Sequence, residues 1–381
     1  MLLTHYSEEE KTVKKNALVI LTGIVCLMFV VSTASVDKVC AQGKVITLKI
    51  ANYFPPPSGQ SKLTEEFAAE LEARSGGRIK TQFFGGGSLL KAPAMFKGVE
   101  TGIADIGYSH VYYTPGRMPV SELIGLPIGT PTGWVAAHMA WDFYQKYKPK
   151  EFGNVKVLAI HGNPPSMILS NKPIEKLEDL KGLTIRAPDL SGECVAALGG
   201  TPAPTPMMEV YDAISKGVVN GVWAPWETLK TFRFAEVAKY VAVCWQIGSV
   251  YPFYLAMNKN SYDKLPRDLQ SLVDTMSGEY QERFALMWNQ IELVGKAFGT
   301  QQAVKYIEYS DQESAKWQKA VDVVIANSVK NLVSKGFSEN EVKGWISYMK
   351  ERNKYWMAKQ IEYKIPSPTG PAEVRPEAIA K

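Results

Sequence analysis

An arginine at position 186 closes a short apolar stretch, Leu180-Lys-Gly-Leu-Thr-Ile-Arg-Ala-Pro188. The stretch reads as a strand running into a loop, because proline biases the residue before it to extended backbone and interrupts regular structure beyond it. In open α/β sheets ligands bind at the carboxyl ends of strands, and a guanidinium there takes a carboxylate through two parallel hydrogen bonds. An ordinary surface salt bridge is the other role for such an arginine, and residue type and position leave both open.

Other chemistries find little support. Beyond residue 41 the histidines are His110, His138 and His161, with no helix-spaced pair and no neighbouring Cys/Asp/Glu set of the kind zinc needs. There is no G-x-S-x-G elbow, Walker loop or G-x-G-x-x-G, and Gly85-Gly-Gly-Ser88 reads as a turn. No pair of carboxylates stands out as an acid/base couple. Neither an enzyme, a metal site nor a cofactor is expected. Cys194 and Cys244 either pair in an oxidising compartment or stay as buried thiols.

Residues 1 to 41 read as a targeting segment: Lys11, Lys14 and Lys15 precede a mostly apolar run from Ala17 to Val36, with small-residue positions at Val39 and Ala41. It is either a cleaved signal or a retained anchor, and both place the rest outside the cytoplasm, in the periplasm. Those 41 residues hold four Lys/Arg and four Asp/Glu, so the remainder keeps the net charge of +5 of the 381-residue chain. No basic run is interleaved with aromatics, so nucleic acid is not an expected partner.

The elements that must position Arg186 alternate between strand and helix patterns, as in an α/β fold. Strands are expected at Ile46 to Ala51, Ile79 to Phe84 and Ala104 to Tyr108. Between them lie a helix with Leu63, Phe67 and Leu71 on one face, ended by Gly76 and Gly77, and a helix around Met95 and Val99. A second unit opens at Val155 to Ile160 and continues through Leu183 to Ala187, a helix after Ser191, a helix at Met208 to Ser215 and a strand at Val218 to Trp223. Val99 to Tyr108 parallels Ile214 to Trp223: each is a helix end, a glycine cap and a strand finishing on an aromatic. Another strand, Phe253 to Met257, precedes a long helical region, and the proline-rich tail from Ile365 to Lys381 is expected to be disordered.

The Arg186 stretch, with Leu198-Gly-Gly-Thr-Pro-Ala-Pro204, Glu209-Val-Tyr-Asp-Ala-Ile214, Lys216-Gly-Val-Val-Asn-Gly221 and Phe234-Ala-Glu-Val-Ala-Lys-Tyr240 after it, resembles the successive motifs of the DctP family. These are substrate-binding proteins of tripartite ATP-independent periplasmic (TRAP) transporters. The resemblance extends from Leu48 to about Tyr348. It implies a two-lobed periplasmic-binding-protein fold, each lobe a βαβ-type sheet flanked by helices, joined by crossover strands and completed by C-terminal helices. The division expected is 42–160 plus 251–290 for the first lobe, 161–250 plus 291–364 for the second, and 365–381 for the tail. It also implies a protein that closes on an organic acid, holds the carboxylate through Arg186 and docks on membrane permease subunits; a monomer is expected. A module reporting to a membrane sensor is the alternative use, and an enzyme on the same scaffold a lesser one.

The chain departs from the family pattern around that arginine. Where many members carry Gln-Glu-Asn-Pro, this chain has Val222-Trp-Ala-Pro225; the stacking aromatic aligns with Met207; the second arginine of sialic-acid binders aligns with Ser166. Aromatics stand in the expected neighbourhood instead: Trp223 and Trp226, Tyr53 and Phe54 after the first strand, Tyr108, His110, Tyr112 and Tyr113 at the third, and Tyr251 at the crossover. Trp223, Tyr108 and His110 are the preferred ligand contacts, with His161 and Asn163 lesser ones. An arginine facing an aromatic wall suits an aromatic or otherwise hydrophobic monocarboxylate.

Overall fold

The computed structural model describes residues 45–380, so the targeting segment expected at 1–41 lies outside the described residues. The described strands are β1 (Ile46–Asn52), β2 (Ile79–Phe84), β3 (Ile106–His110), β4 (Val155–Gly162), β5 (Met167–Ser170), β6 (Thr184–Arg186), β7 (Thr201–Ala203), β8 (Gly221–Ala224), β9 (Tyr240–Val243), β10 (Pro252–Asn258) and β11 (Lys305–Glu308). They form two sheets, ordered β2-β1-β3-β10-β4 and β11-β9-β5-β8-β6-β7. The chain passes between the sheets after β4 and returns after β9, which gives the two-lobed α/β architecture.

Local sequence accounts for most elements. Helix α1 (Gly59–Arg74) starts where the Ser58 side chain accepts from the Ser61 N–H at 3.1 Å, and it buries Leu63, Phe67 and Leu71. The repeated helix-glycine-strand segments match bond for bond. Ile103 N–H donates to Gly98 C=O at 2.8 Å and Val218 N–H to Ala213 C=O at 2.9 Å, across Gly102 (φ 78°) and Gly217 (φ 71°). A side chain at either glycine would be strained in this left-handed cap. Each cap delivers the chain into a strand, β3 in one sheet and β8 in the other.

Three expectations are corrected. β4, expected to open the second unit, pairs antiparallel with β10 in the first sheet, which sets Phe253 beside both His110 and His161. The helices α2 (Gly133–Tyr147), α3 (Arg267–Gln301) and α4 (Glu339–Glu362) correct the second: the boundary at 290/291 falls inside the continuous α3, and α4, expected with the second lobe, packs on α2 of the first. Arg352 Nε donates to Asp142 Oδ2 at 2.7 Å and Asn353 Nδ2 to Thr130 Oγ1 at 3.0 Å across that contact. Third, the tail is ordered: Ser367, Thr369 and Val374 are fully buried, Asn289 Nδ2 holds Pro366 C=O at 3.1 Å, and Arg375 Nη2 holds Gly370 C=O at 2.9 Å. Its prolines limit the chain's freedom without preventing burial, and composition alone did not register these contacts.

Cys194 and Cys244 are buried free thiols, pushed up to about 12 by burial. Among the described residues no helix is long and apolar enough to cross a membrane.

Candidate functional site

Arg186, the last residue of β6, is 1% exposed. Its Nε donates to Thr205 C=O at 2.7 Å and its Nη2 to Tyr113 Oη at 3.4 Å. These two contacts orient the guanidinium and leave its remaining N–H donors for something else. Among the described residues no carboxylate lies within ion-pair distance of it, although a buried charge without a partner is strongly unfavourable.

The space in front of it is a small cavity lined by residues of both lobes. The first lobe and the crossovers contribute Tyr53, Phe54, His110, Asn163, Tyr251 and Phe253; the second contributes Arg186, Met207, Pro225, Glu227, Thr228 and Phe232. It encloses about 20 Å³, room for about one water. The wall is mostly ring edges and faces. Tyr53 stacks on Phe54 at 4.3 Å between centroids, Phe54 lies 5.8 Å from Phe253, and His110 lies 3.9 Å from Tyr113.

Two tyrosines tie the lobes together at the Arg186 end. Tyr113 Oη accepts from the Met207 N–H at 3.1 Å as well as from Arg186, and Tyr251 Oη donates to Trp223 C=O at 2.9 Å, with Ser191 Oγ 3.2 Å away. The His110 imidazole is held well below its usual range, first by burial and then by the Arg186 charge, so it stays neutral. Its Nδ1 has no hydrogen-bond partner.

Six of the expected residues therefore share the cavity: Arg186, His110, Met207, Tyr53, Phe54 and Tyr251. The other three do not line it. Tyr108 lies one layer behind, packed on Phe54, His161, Phe253 and Phe284. Trp223 is fully buried outside the lining, and Trp226 turns away to meet Tyr306 edge-on at 4.6 Å under Lys296. Of the lesser candidates Asn163 lines the cavity, whereas His161 is a core residue stacked on Phe284 and accepting from Trp288 Nε1 at 2.8 Å.

Sequence reasoning missed Glu227, Thr228, Phe232 and Phe253. Glu227 is the most consequential, being a carboxyl 3% exposed at the turn after β8. Burial pushes it up to about 7, against smaller opposite pulls from Thr231 and Gln60. The signal was available in part: Pro225-Trp-Glu-Thr228 comes directly after the strand end where the family places its ligand contacts.

The profile of the bacterial extracellular solute-binding proteins, family 7 (DctP), matches residues 50–331. The chain belongs to this family. A solute-binding protein of Albidiferax ferrireducens is 28% identical over 288 residues, 71% of this chain and 83% of that protein. A TRAP periplasmic solute-binding protein from Desulfovibrio salexigens superimposes with a TM-score of 0.71 at 31% identity, covering 82% of this chain and 96% of the other. One from Rhodoferax ferrireducens, in complex with copurified benzoate, gives a TM-score of 0.77 at 25% identity, covering 82% of this chain and all of the other. This DctP protein is accordingly a TRAP-type transport solute-binding protein and not an enzyme, of a family that works outside the cytoplasm with membrane permease components.

Proposed function

We propose that this DctP protein captures an aromatic or otherwise hydrophobic monocarboxylate in the periplasm and delivers it to the permease of its transporter. The observation that carries this reading is a buried guanidinium with no carboxylate partner, facing a cavity walled by rings. A ligand carboxylate supplies the missing counter-charge, and rings around an apolar body supply most of the binding energy. The benzoate in the Rhodoferax protein supports the same class. At about 20 Å³ the cavity is too small for such a ligand, so the lobes must part to admit it and settle around it less tightly than here, with the cross-lobe bonds of Tyr113 and Tyr251 lengthened or exchanged.

The test is to denature protein purified from its native host, identify released small molecules by mass spectrometry, and titrate benzoate calorimetrically. A ring-bearing monocarboxylate is expected. Recovery of a neutral sugar or a C4-dicarboxylate, with no heat from benzoate, would overturn the proposal.

A further inference from the structure

A second ionisable side chain, Glu227, lines the same cavity as Arg186, with Thr231 and Gln60 as its polar neighbours. Glu227 Oε2 is buried without a hydrogen-bond partner. The residue precedes the four-residue helix Thr228–Thr231, yet its side chain makes no capping bond to it. Desolvating such a group is costly unless something completes it.

The turn that carries Glu227 is nonetheless firmly held. Glu292, fully buried on α3, accepts from the Trp226 N–H at 3.1 Å and from the Glu227 N–H at 2.9 Å. Gly295, one helical turn along, lets the turn press onto the helix: a Cβ there would stand 2.4 Å from Trp226 C=O. The backbone is thus fixed by α3, and Glu227 lines the cavity. Glu227 also borders a groove of about 540 Å³ between α1, α3 and the 228–231 helix.

The Tyr53 hydroxyl lies in the field of both Arg186 and Glu227, whereas Arg186 is not among the groups acting on the Glu227 carboxyl. Tyr108, whose hydroxyl is also buried and unpartnered, feels Glu227.

We propose that Glu227 is a specificity-determining residue that hydrogen-bonds a hydroxyl carried on the ligand's ring, away from the carboxylate held by Arg186. The proposal rests on Arg186 binding a ligand carboxylate. A hydroxyl suits this carboxyl in either protonation state, since it donates to the anion and can also accept from the acid. The ligand class is then a phenolic carboxylate rather than a plain aromatic acid, and the buried carboxyl disfavours the analogue that leaves it unpaired.

The experiment titrates benzoate, 3-hydroxybenzoate and 4-hydroxybenzoate into the wild-type protein and its Glu227→Leu, Glu227→Gln and Arg186→Ala variants. The wild type is expected to prefer one hydroxybenzoate over benzoate by about ten- to a hundredfold. Glu227→Leu is expected to bring that ratio near one, and Glu227→Gln, which keeps an acceptor, to hold part of it. An undiminished ratio in a Glu227→Leu protein with a normal unfolding transition overturns the assignment. If that variant does not fold, the crystal structure of the wild-type complex decides: a ligand hydroxyl within about 3.2 Å of a Glu227 oxygen supports the proposal, and a longer separation refutes it. Arg186→Ala is expected to lose all three acids; were it to bind them normally, the carboxylate reading would fall on its own.

Discussion

Two ionisable groups lining the cavity are presented by opposite means. Arg186 sits at a strand terminus, oriented by Thr205 and by a tyrosine from the other lobe. Glu227 sits on a turn whose N–H groups are gripped by a second buried carboxyl from α3, while its own Oε2 is left without a partner. One is built to hold a charge for a counter-charge to meet; the other is a carboxyl that burial drives toward its neutral form. The difference teaches that the missing polar clamp of the family pattern, at Val222 to Pro225, does not leave Arg186 as the one ionisable group beside the rings. Glu227, slightly further along the same turn, also lines the cavity and is the second anchor proposed for it.

Removing the cationic group is expected to have the largest effect. Arg186→Ala should weaken binding of an acid ligand by about 3–5 kcal/mol, because the ligand carboxylate would be buried unpaired. Isothermal titration with benzoate measures it, and a loss below about 1 kcal/mol would mean that the two groups are not energetically distinct.

Loosening the turn that carries the carboxyl comes next. Glu292→Ala leaves the Trp226 and Glu227 N–H groups unpaired and should lower stability by about 1–3 kcal/mol in chemical unfolding. It should also blur discrimination among the hydroxybenzoates while leaving affinity for the carboxylate largely set by Arg186. Equal losses of both would show that the turn acts only on stability.

The smallest effect concerns pH and asks whether burial alone explains the neutral tendency of Glu227. Glu122 is likewise pushed up to about 7, first by burial and then by Asp189, across from Glu193, Glu151 and Lys335. A carboxyl raised in the folded chain adds stability that is fully present below its unfolded value near 4.5 and is lost as pH rises through about 7. His161, held down to about 3, works the other way, its cost growing as pH falls below about 6.5. Differences between variants separate the two. Glu122→Gln should gain on the wild type in thermal unfolding between about pH 5 and pH 8 by a few degrees, and Glu227→Gln should do the same. A flat difference for Glu122 alone would mean that only the cavity carboxyl carries such a penalty.

Much of this was legible in the residues. The β1, β2 and β3 spans follow from alternation and turn residues, and Gly102 and Gly217 announced matching caps because each lies at a helix end where only a left-handed residue fits. Arg186 could be placed at a strand end and tied to carboxylates through its motif. The choice among aromatics was less successful, for geometric reasons. Tyr108 and His110 lie on one face of β3, but two residues amount to about 6.6 Å along a strand, which sinks Tyr108 into the layer behind. Trp223 comes after Val222, the residue that pairs with Arg186, so the pleat turns it to the opposite face.

The amino-acid sequence by itself determined the α/β class, the family, the repeated helix-glycine-strand turns and the place of Arg186 at a strand end, because each rests on periodicity, caps or a contiguous motif. Only the tertiary structure decided which rings wall the cavity, that the tail packs, and that Glu227 lines the same cavity as Arg186. Those outcomes depend on groups far apart in the chain: Glu292, 65 residues from Glu227, fixes its turn, and Tyr113, 73 residues from Arg186, helps aim its guanidinium. No local pattern records an environment assembled from such distances.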